Sequence, residues 1–126
     1  MGKFNSLNKA EFIGRLGKDA EVRHTPSGQM VASFNIAVDR KDTSNGAKDA
    51  EWVRCSLWGE NAVNAYSPYL TKGTLVFVDG RPSASAWIGK EDGQAHAQLE
   101  LSVNTVQLLG GKNGAVEDAP AEEIEF

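Results

Sequence analysis

Two runs of alternating residues decide most of what this chain can fold into. From Met30 to Val38, the residues Met30, Ala32, Phe34, Ile36 and Val38 alternate with Val31, Ser33, Asn35 and Ala37. A two-residue period is that of a strand, whose successive side chains point to opposite sides. Glu51 to Gly59 has the same period but a different division of labour. Val53, Cys55 and Leu57 form a core-like face, whereas Trp52, Arg54, Ser56 and Trp58 form the other. A face with two indoles, a guanidinium and no aliphatic residue is poorly suited to burial. It is well suited to presenting flat aromatic surface beside a fixed positive charge. Unpaired nucleobases stack on such surfaces at about 1–3 kcal/mol per base, while the cation meets the phosphate backbone. Single-stranded nucleic acid is therefore the leading candidate ligand. For this strand alone, the competing reading is a second core or a subunit interface.

The remaining segments fit around these two strands. Asn8 to Leu16 reads as a first strand with Ala10, Phe12, Gly14 and Leu16 on one side, and Glu21 to His24 as a short continuation of it. Thr25-Pro-Ser-Gly28 has turn chemistry, with proline setting the turn and glycine supplying a positive φ. Asp39 to Ala50 is polar and reads as a long mobile loop. Glu60 to Leu70 carries the helical signal, with Val63, Tyr66 and Leu70 on one face and Gly73 as the stop. Pro68 interrupts it, because its nitrogen has no hydrogen to donate to Asn64. A kink, or a new turn with Ser67 as cap and Pro68 in the first helical position, resolves the conflict. Thr74 to Arg81 is apolar on both faces and reads as a central strand, with Ser83 to Ile88 running on to a hairpin at Gly89 to Gly93. In the returning strand, Ala95 to Leu108, the apolar phase switches at Asn104-Thr105, which predicts a β-bulge. Phe12, Phe34, Tyr66, Tyr69 and Phe77 all fall in core phase. The expected fold is all-β with one helix: a five-stranded, antiparallel, partly open Greek-key barrel of the oligonucleotide/oligosaccharide-binding (OB) type.

Composition narrows the function. A chain of 126 residues, 40% of them hydrophobic, is expected to form one compact domain. No apolar run approaches a membrane span, and Met1 to Ser6 lacks the apolar stretch of a secretion signal, so a cytoplasmic location is expected. The single cysteine, Cys55, has no internal disulfide partner and reads as a small buried hydrophobe. The net charge is -4, but residues 1–109 hold twelve Lys+Arg and twelve Asp+Glu, so the deficit lies wholly in residues 110–126, with Lys112 against five acids. Binding by a neutral body has to rest on local cations and stacking rather than on a global field. His24 and His96 stand without a second histidine or cysteine at metal-ligand spacing. The acid pairs Asp39/Asp42 and Glu91/Asp92 lie in polar loops with no nucleophile near them. No metal, cofactor or catalytic set is expected, which weighs against a small nuclease. A carbohydrate- or protein-binding OB module remains the alternative.

Several motifs in order raise a family resemblance. Residues 8–23 (Asn8-Lys-Ala-Glu-Phe-Ile-Gly-Arg-Leu-Gly-Lys-Asp-Ala-Glu-Val-Arg23), Glu51 to Gly59, Tyr69-Leu-Thr-Lys-Gly73 and Val78-Asp-Gly-Arg81 resemble the bacterial single-stranded DNA-binding proteins. So do Trp87 before its hairpin and the acidic terminus ending in Ile124-Glu125-Phe126. Proteins of that family are themselves a standard example of stacking-based, sequence-tolerant binding. The resemblance implies a homotetramer built as a dimer of dimers, no enzymatic activity, and a role in DNA replication, recombination and repair. It places Trp52, Trp58 and Trp87 at base-stacking positions and Arg54, Arg23, Lys9 and Lys72 at basic contacts to the strand. It also implies that residues 110–126 are a linker and an acidic tip, with Glu122, Glu123, Ile124, Glu125 and Phe126 docking replication and repair proteins. Three places depart from the pattern. Asp39-Arg-Lys-Asp42 stands where an aromatic is common, Ser83-Ala-Ser-Ala86 stands where basic residues are common, and the tail is short with Glu125 in a proline position.

Overall fold

In a computed structural model, the described residues are 6–39 and 50–111. The strands are β1 (Ala10–Leu16), β2 (Glu21–His24), β3 (Met30–Asp39), β4 (Ala50–Trp58), β5 (Leu75–Ile88) and β6 (Ala95–Gly110), with helix α1 (Glu60–Tyr66) between β4 and β5. They form one sheet in the order β1-β5-β6-β4-β3-β2, which β1 closes by also pairing with β3 at Arg15↔Ala37 and Leu16↔Ile36. Counting β1 and β2 as one interrupted strand gives the expected five. The neighbours are antiparallel except β4 and β6, which run parallel from Val53↔Leu99 to Leu57↔Val103.

The alternation seen in the sequence puts one set of residues inside this closed sheet. Leu16, Ala32, Phe34, Ile36, Val53, Cys55, Leu57, Val76, Val78, Leu101, Val103 and Val106 are buried together, with Val63 of α1 and Leu70 closing one end. Closure depends on close backbone approach at Gly14. A Cβ there would lie 2.5 Å from the carbonyl oxygen of Ala37 across the β1–β3 seam.

The bulge falls where the phase switch put it. Asp79 faces Thr105 and Gly80 faces Val103, so Asn104 is the extra residue, and Val103 and Val106 both point inward despite being three apart. The helix also breaks as expected: α1 ends at Tyr66, and Ser67–Tyr69 forms a separate 3₁₀ turn with Pro68 near its start. The capping expectation is corrected. Ser67 closes α1 through its N–H to the Val63 carbonyl, and Tyr66, without a side-chain cap, begins the new turn.

Two other expectations change. In β5 it is Val76 and Val78 that enter the core, so Phe77 lies half-buried on the outer side. Tyr69 is exposed, because the 3₁₀ turn rotates it off the helical face that Val63 and Leu70 share. The loop expected within Asp39 to Ala50 and the tail beyond Gly111 lie outside the described residues.

Candidate nucleic-acid interface

Residues opposite one another in a sheet share a face, so the registers convert strand phases into rows of side chains on the outer surface. One row is Arg15, Ala37 and Trp52. The next is Asn35, Arg54, Glu100 and Ser83. Beside it run Glu21, Ser33, Ser56, Ser102 and Arg81, and then Arg23, Val31 and Trp58. Along the β5–β6 hairpin the same face continues with Ser85 opposite Gln98 and Trp87 opposite His96. Thus β4 and β5, distant in sequence, direct all three tryptophans to one side of the sheet.

Each indole is half-exposed: 48% for Trp52, 44% for Trp58 and 48% for Trp87. That is the arrangement of a platform, with part of the ring seated on the protein and the rest left to a ligand. The seat of Trp52 is the backbone after β1, where a Cβ on Gly17 would come within 2.8 Å of the indole Cζ3. The seat of Trp87 is the ring of His96, stacked at 5.6 Å between centroids and 19° between planes.

Of the four predicted cations, Arg54 and Arg23 lie in these rows, whereas Lys72 and Lys9 lie outside them. Arg54 lies between Trp52 and Trp58 on β4 and is exposed. Arg23 shares the Trp58 row through Val31. Lys72 is exposed in the turn before β5, and its backbone N–H donates to Asp19 Oδ1 at 2.8 Å, which fastens it to the segment that carries Gly17. Lys9 lies at the β1–β5 side, where its Nζ is 3.6 Å from Asp79 and 3.7 Å from Glu11. The structure does not bring Lys9 into the tryptophan face.

Three residues of the face were not singled out in the sequence. Arg81 is exposed in the Ser56 row; its even spacing from Trp87 along one strand was the available signal. Arg15 shares the Trp52 row, but its Nη1 donates to the Gly73 and Gly111 carbonyls at 2.8 and 3.1 Å, so it also ties the start of the tail to the sheet. His96, which looked isolated in sequence, is part of the Trp87 platform. The face also carries acceptors: Glu100 Oε2 takes the Ser85 hydroxyl at 2.9 Å, and Asn35 Oδ1 is buried with no partner among the described residues. The tip residues Glu122 to Phe126 lie outside the described residues.

Cys55 belongs to the core behind this face. Burial pushes its thiol up to about 12, so it stays protonated and inert. Among the described residues no group of three or more His, Cys, Asp or Glu is placed to hold a metal ion. No helix among them is long and apolar enough to cross a membrane.

A closed sheet of this topology, with half-exposed indoles and guanidinium groups on its outer surface, defines an OB-type binding protein. Comparison with known proteins narrows the class: residues 7–109 match the model of the Single-strand binding protein family, and the chain belongs to that family. It is 35% identical over 120 residues to "Single-stranded DNA-binding protein 2" of Listeria monocytogenes, covering 94% of this chain and 74% of that one. It is 38% identical over 109 residues to "Single-stranded DNA-binding protein A" of Bacillus subtilis, covering 86% of this chain and 62% of that one. Against the "Single-stranded DNA-binding protein" of Neisseria meningitidis serogroup A, identity is 37% over 121 residues, with coverage of 94% and 68%. The chain thus spans roughly two thirds of the length of these relatives.

Proposed function

We propose that this protein binds single-stranded DNA without sequence specificity, stacking bases on Trp52, Trp58 and Trp87. The observation that carries the reading is the convergence of three half-exposed indoles on one outer face, with Arg54 between two of them. A base π-face is common to all four nucleotides, so stacking tolerates any sequence. Arg54, Arg23, Arg81 and Lys72 meet phosphates, and Lys9 plays at most a peripheral part because two carboxylates already hold it. The protein acts as a binder rather than a catalyst and protects exposed strands during replication, recombination and repair in the cytoplasm.

Family membership supports the finer assignments that we propose with it. Residues 1–109 form the DNA-binding and oligomerisation domain and assemble as a homotetramer. Residues 110–126 form a linker and acidic tip, in which Glu122, Glu123, Ile124, Glu125 and Phe126 dock replication and repair proteins. The decisive experiment titrates oligo(dT), the matching duplex and a panel of oligosaccharides while tryptophan emission is followed. Saturable quenching by oligo(dT) alone is expected. Quenching by a sugar, or none by oligo(dT), would transfer the face to the carbohydrate- or protein-binding alternative.

A further inference from the structure

The third platform is built differently from the other two. Trp52 and Trp58 lie on β4, which is flanked on one side by β3 and on the other by β6. Trp87 lies near the end of β5, where the hairpin has outrun the rest of the sheet. The β4–β6 pairing begins only at Leu99, and the β1–β5 pairing reaches no further than Gly80. Among the described residues no third strand flanks Trp87, and the ring stacked on it is that of its cross-strand partner His96.

His96 is itself held. Its Nε2 lies 3.1 Å from Asp92 Oδ2, and Asp92 Oδ1 accepts the Gln94 backbone N–H at 2.9 Å. The Gly89 N–H donates to the Gln94 carbonyl and the Gly93 N–H to the Gly89 carbonyl, which closes the turn around the pair. A Cβ on Gly89 would collide with Asp92 Oδ1 and come within 2.9 Å of His96 Nε2. The turn, the carboxylate, the imidazole and the indole are one connected assembly at the hairpin tip.

We propose that His96 is a positioning residue for the Trp87 platform, backing the indole on one side so that its other side is presented to a base. This rests on the reading that Trp87 stacks a nucleobase. With the imidazole stacked against the indole and itself tied to Asp92 in the turn, the indole meets the strand already oriented, and less of its motion has to be lost on binding.

The test uses the full chain and labelled oligo(dT) at constant pH and ionic strength. His96→Gln removes the ring behind Trp87 and should weaken binding by about twofold to tenfold, the scale of ordering one freed side chain on binding. His96→Phe restores an aromatic backing and should return the affinity close to wild type. In a Trp87→Ala background, His96→Gln should have no further effect. Without DNA, His96→Gln should change the tryptophan emission, whereas His24→Gln, which removes the other histidine, should not. Wild-type affinity and wild-type DNA-free emission in His96→Gln, or no recovery of affinity in His96→Phe, overturn the proposal. If Trp87→Ala itself binds like wild type, what falls is the stacking role of Trp87, and the DNA-free emission still decides whether His96 backs the ring.

Discussion

Replacing Trp52 by alanine is the obvious test of stacking, and the structure shows why it is the wrong one. Trp52 is 48% exposed, so about half of it is seated on the sheet and on Gly17. An indole carries about 150–250 Å² of buriable surface, so seating half of it removes about 100 Å² from water. At about 25 cal/mol per Å² this is worth about 2.5 kcal/mol of stability. The loss of one stacked base is about 1–3 kcal/mol. The two effects are equal in size, and an alanine variant would mix them. Trp52→Leu separates them, because leucine keeps much of the seated apolar contact and presents no flat ring. It should lower oligo(dT) affinity by about fivefold to a hundredfold, the equivalent of one stacked base, with a melting temperature only a few degrees below wild type. Trp52→Phe should retain most of the affinity. The paired measurements are fluorescence anisotropy and thermal circular dichroism. If Trp52→Leu bound within twofold of wild type while its melting point collapsed, the indole would be structural and the stacking account of this position refuted.

Other predictions follow from single contacts. If Arg23, Arg54, Arg81 and Lys72 each meet a phosphate as proposed, log affinity should fall against log salt with a slope of about -3 per subunit, at about -0.7 per phosphate. Lys9→Ala should leave that slope unchanged, because its charge is held by Asp79 and Glu11; a slope one contact shallower would put Lys9 on the path. Cys55 stays protonated in the fold up to about 12, while a thiol exposed by unfolding ionises near 9.0. Its contribution to stability is therefore complete below pH 9 and is lost as pH rises from 9 toward 12; denaturant unfolding of Cys55→Val should lack that alkaline loss. Gly80→Ala puts a methyl group into the Ser102 carbonyl at the bulge and should destabilise the domain, read as a lowered denaturation midpoint. Deleting Glu122 to Phe126 should leave folding, oligomeric state and oligo(dT) binding intact and abolish capture of partner proteins; loss of DNA binding on truncation would refute the docking role.

How much of this is legible in the sequence depends on whether one strand face is polar. In β3 and β4 it is, and Trp52, Arg54 and Trp58 emerge from alternation alone. The bulge is legible too, since Val103 and Val106 can both be core residues only if an extra residue intervenes. In β5 both faces are apolar between Leu75 and Val78, so period-two reasoning has no phase to choose, and it counts Phe77 with the core although Val76 and Val78 are the residues that point inward. Tyr69 is misplaced by the helical pattern because the break at Ser67 changes the period from 3.6 toward 3.0. The tertiary contacts leave no local signal. Lys9 meets Asp79 seventy residues away, and His96 meets Trp87 only through a register that the hairpin turn sets. The position of Lys9 in a family pattern cannot show that its charge is already engaged.

On the proposed reading one outer face, running from β4 across β6 to the tip of the β5–β6 hairpin, carries the strand. Ultraviolet crosslinking of the full chain to oligo(dT), with the joined peptides identified by mass spectrometry, locates that path. Crosslinks are expected at Trp52, Trp58 and Trp87, competed away by unlabelled single strands and not by duplex. Crosslinks confined to the β1–β5 side around Lys9 and Asp79, or to α1 and the turn at Tyr69, would contradict it.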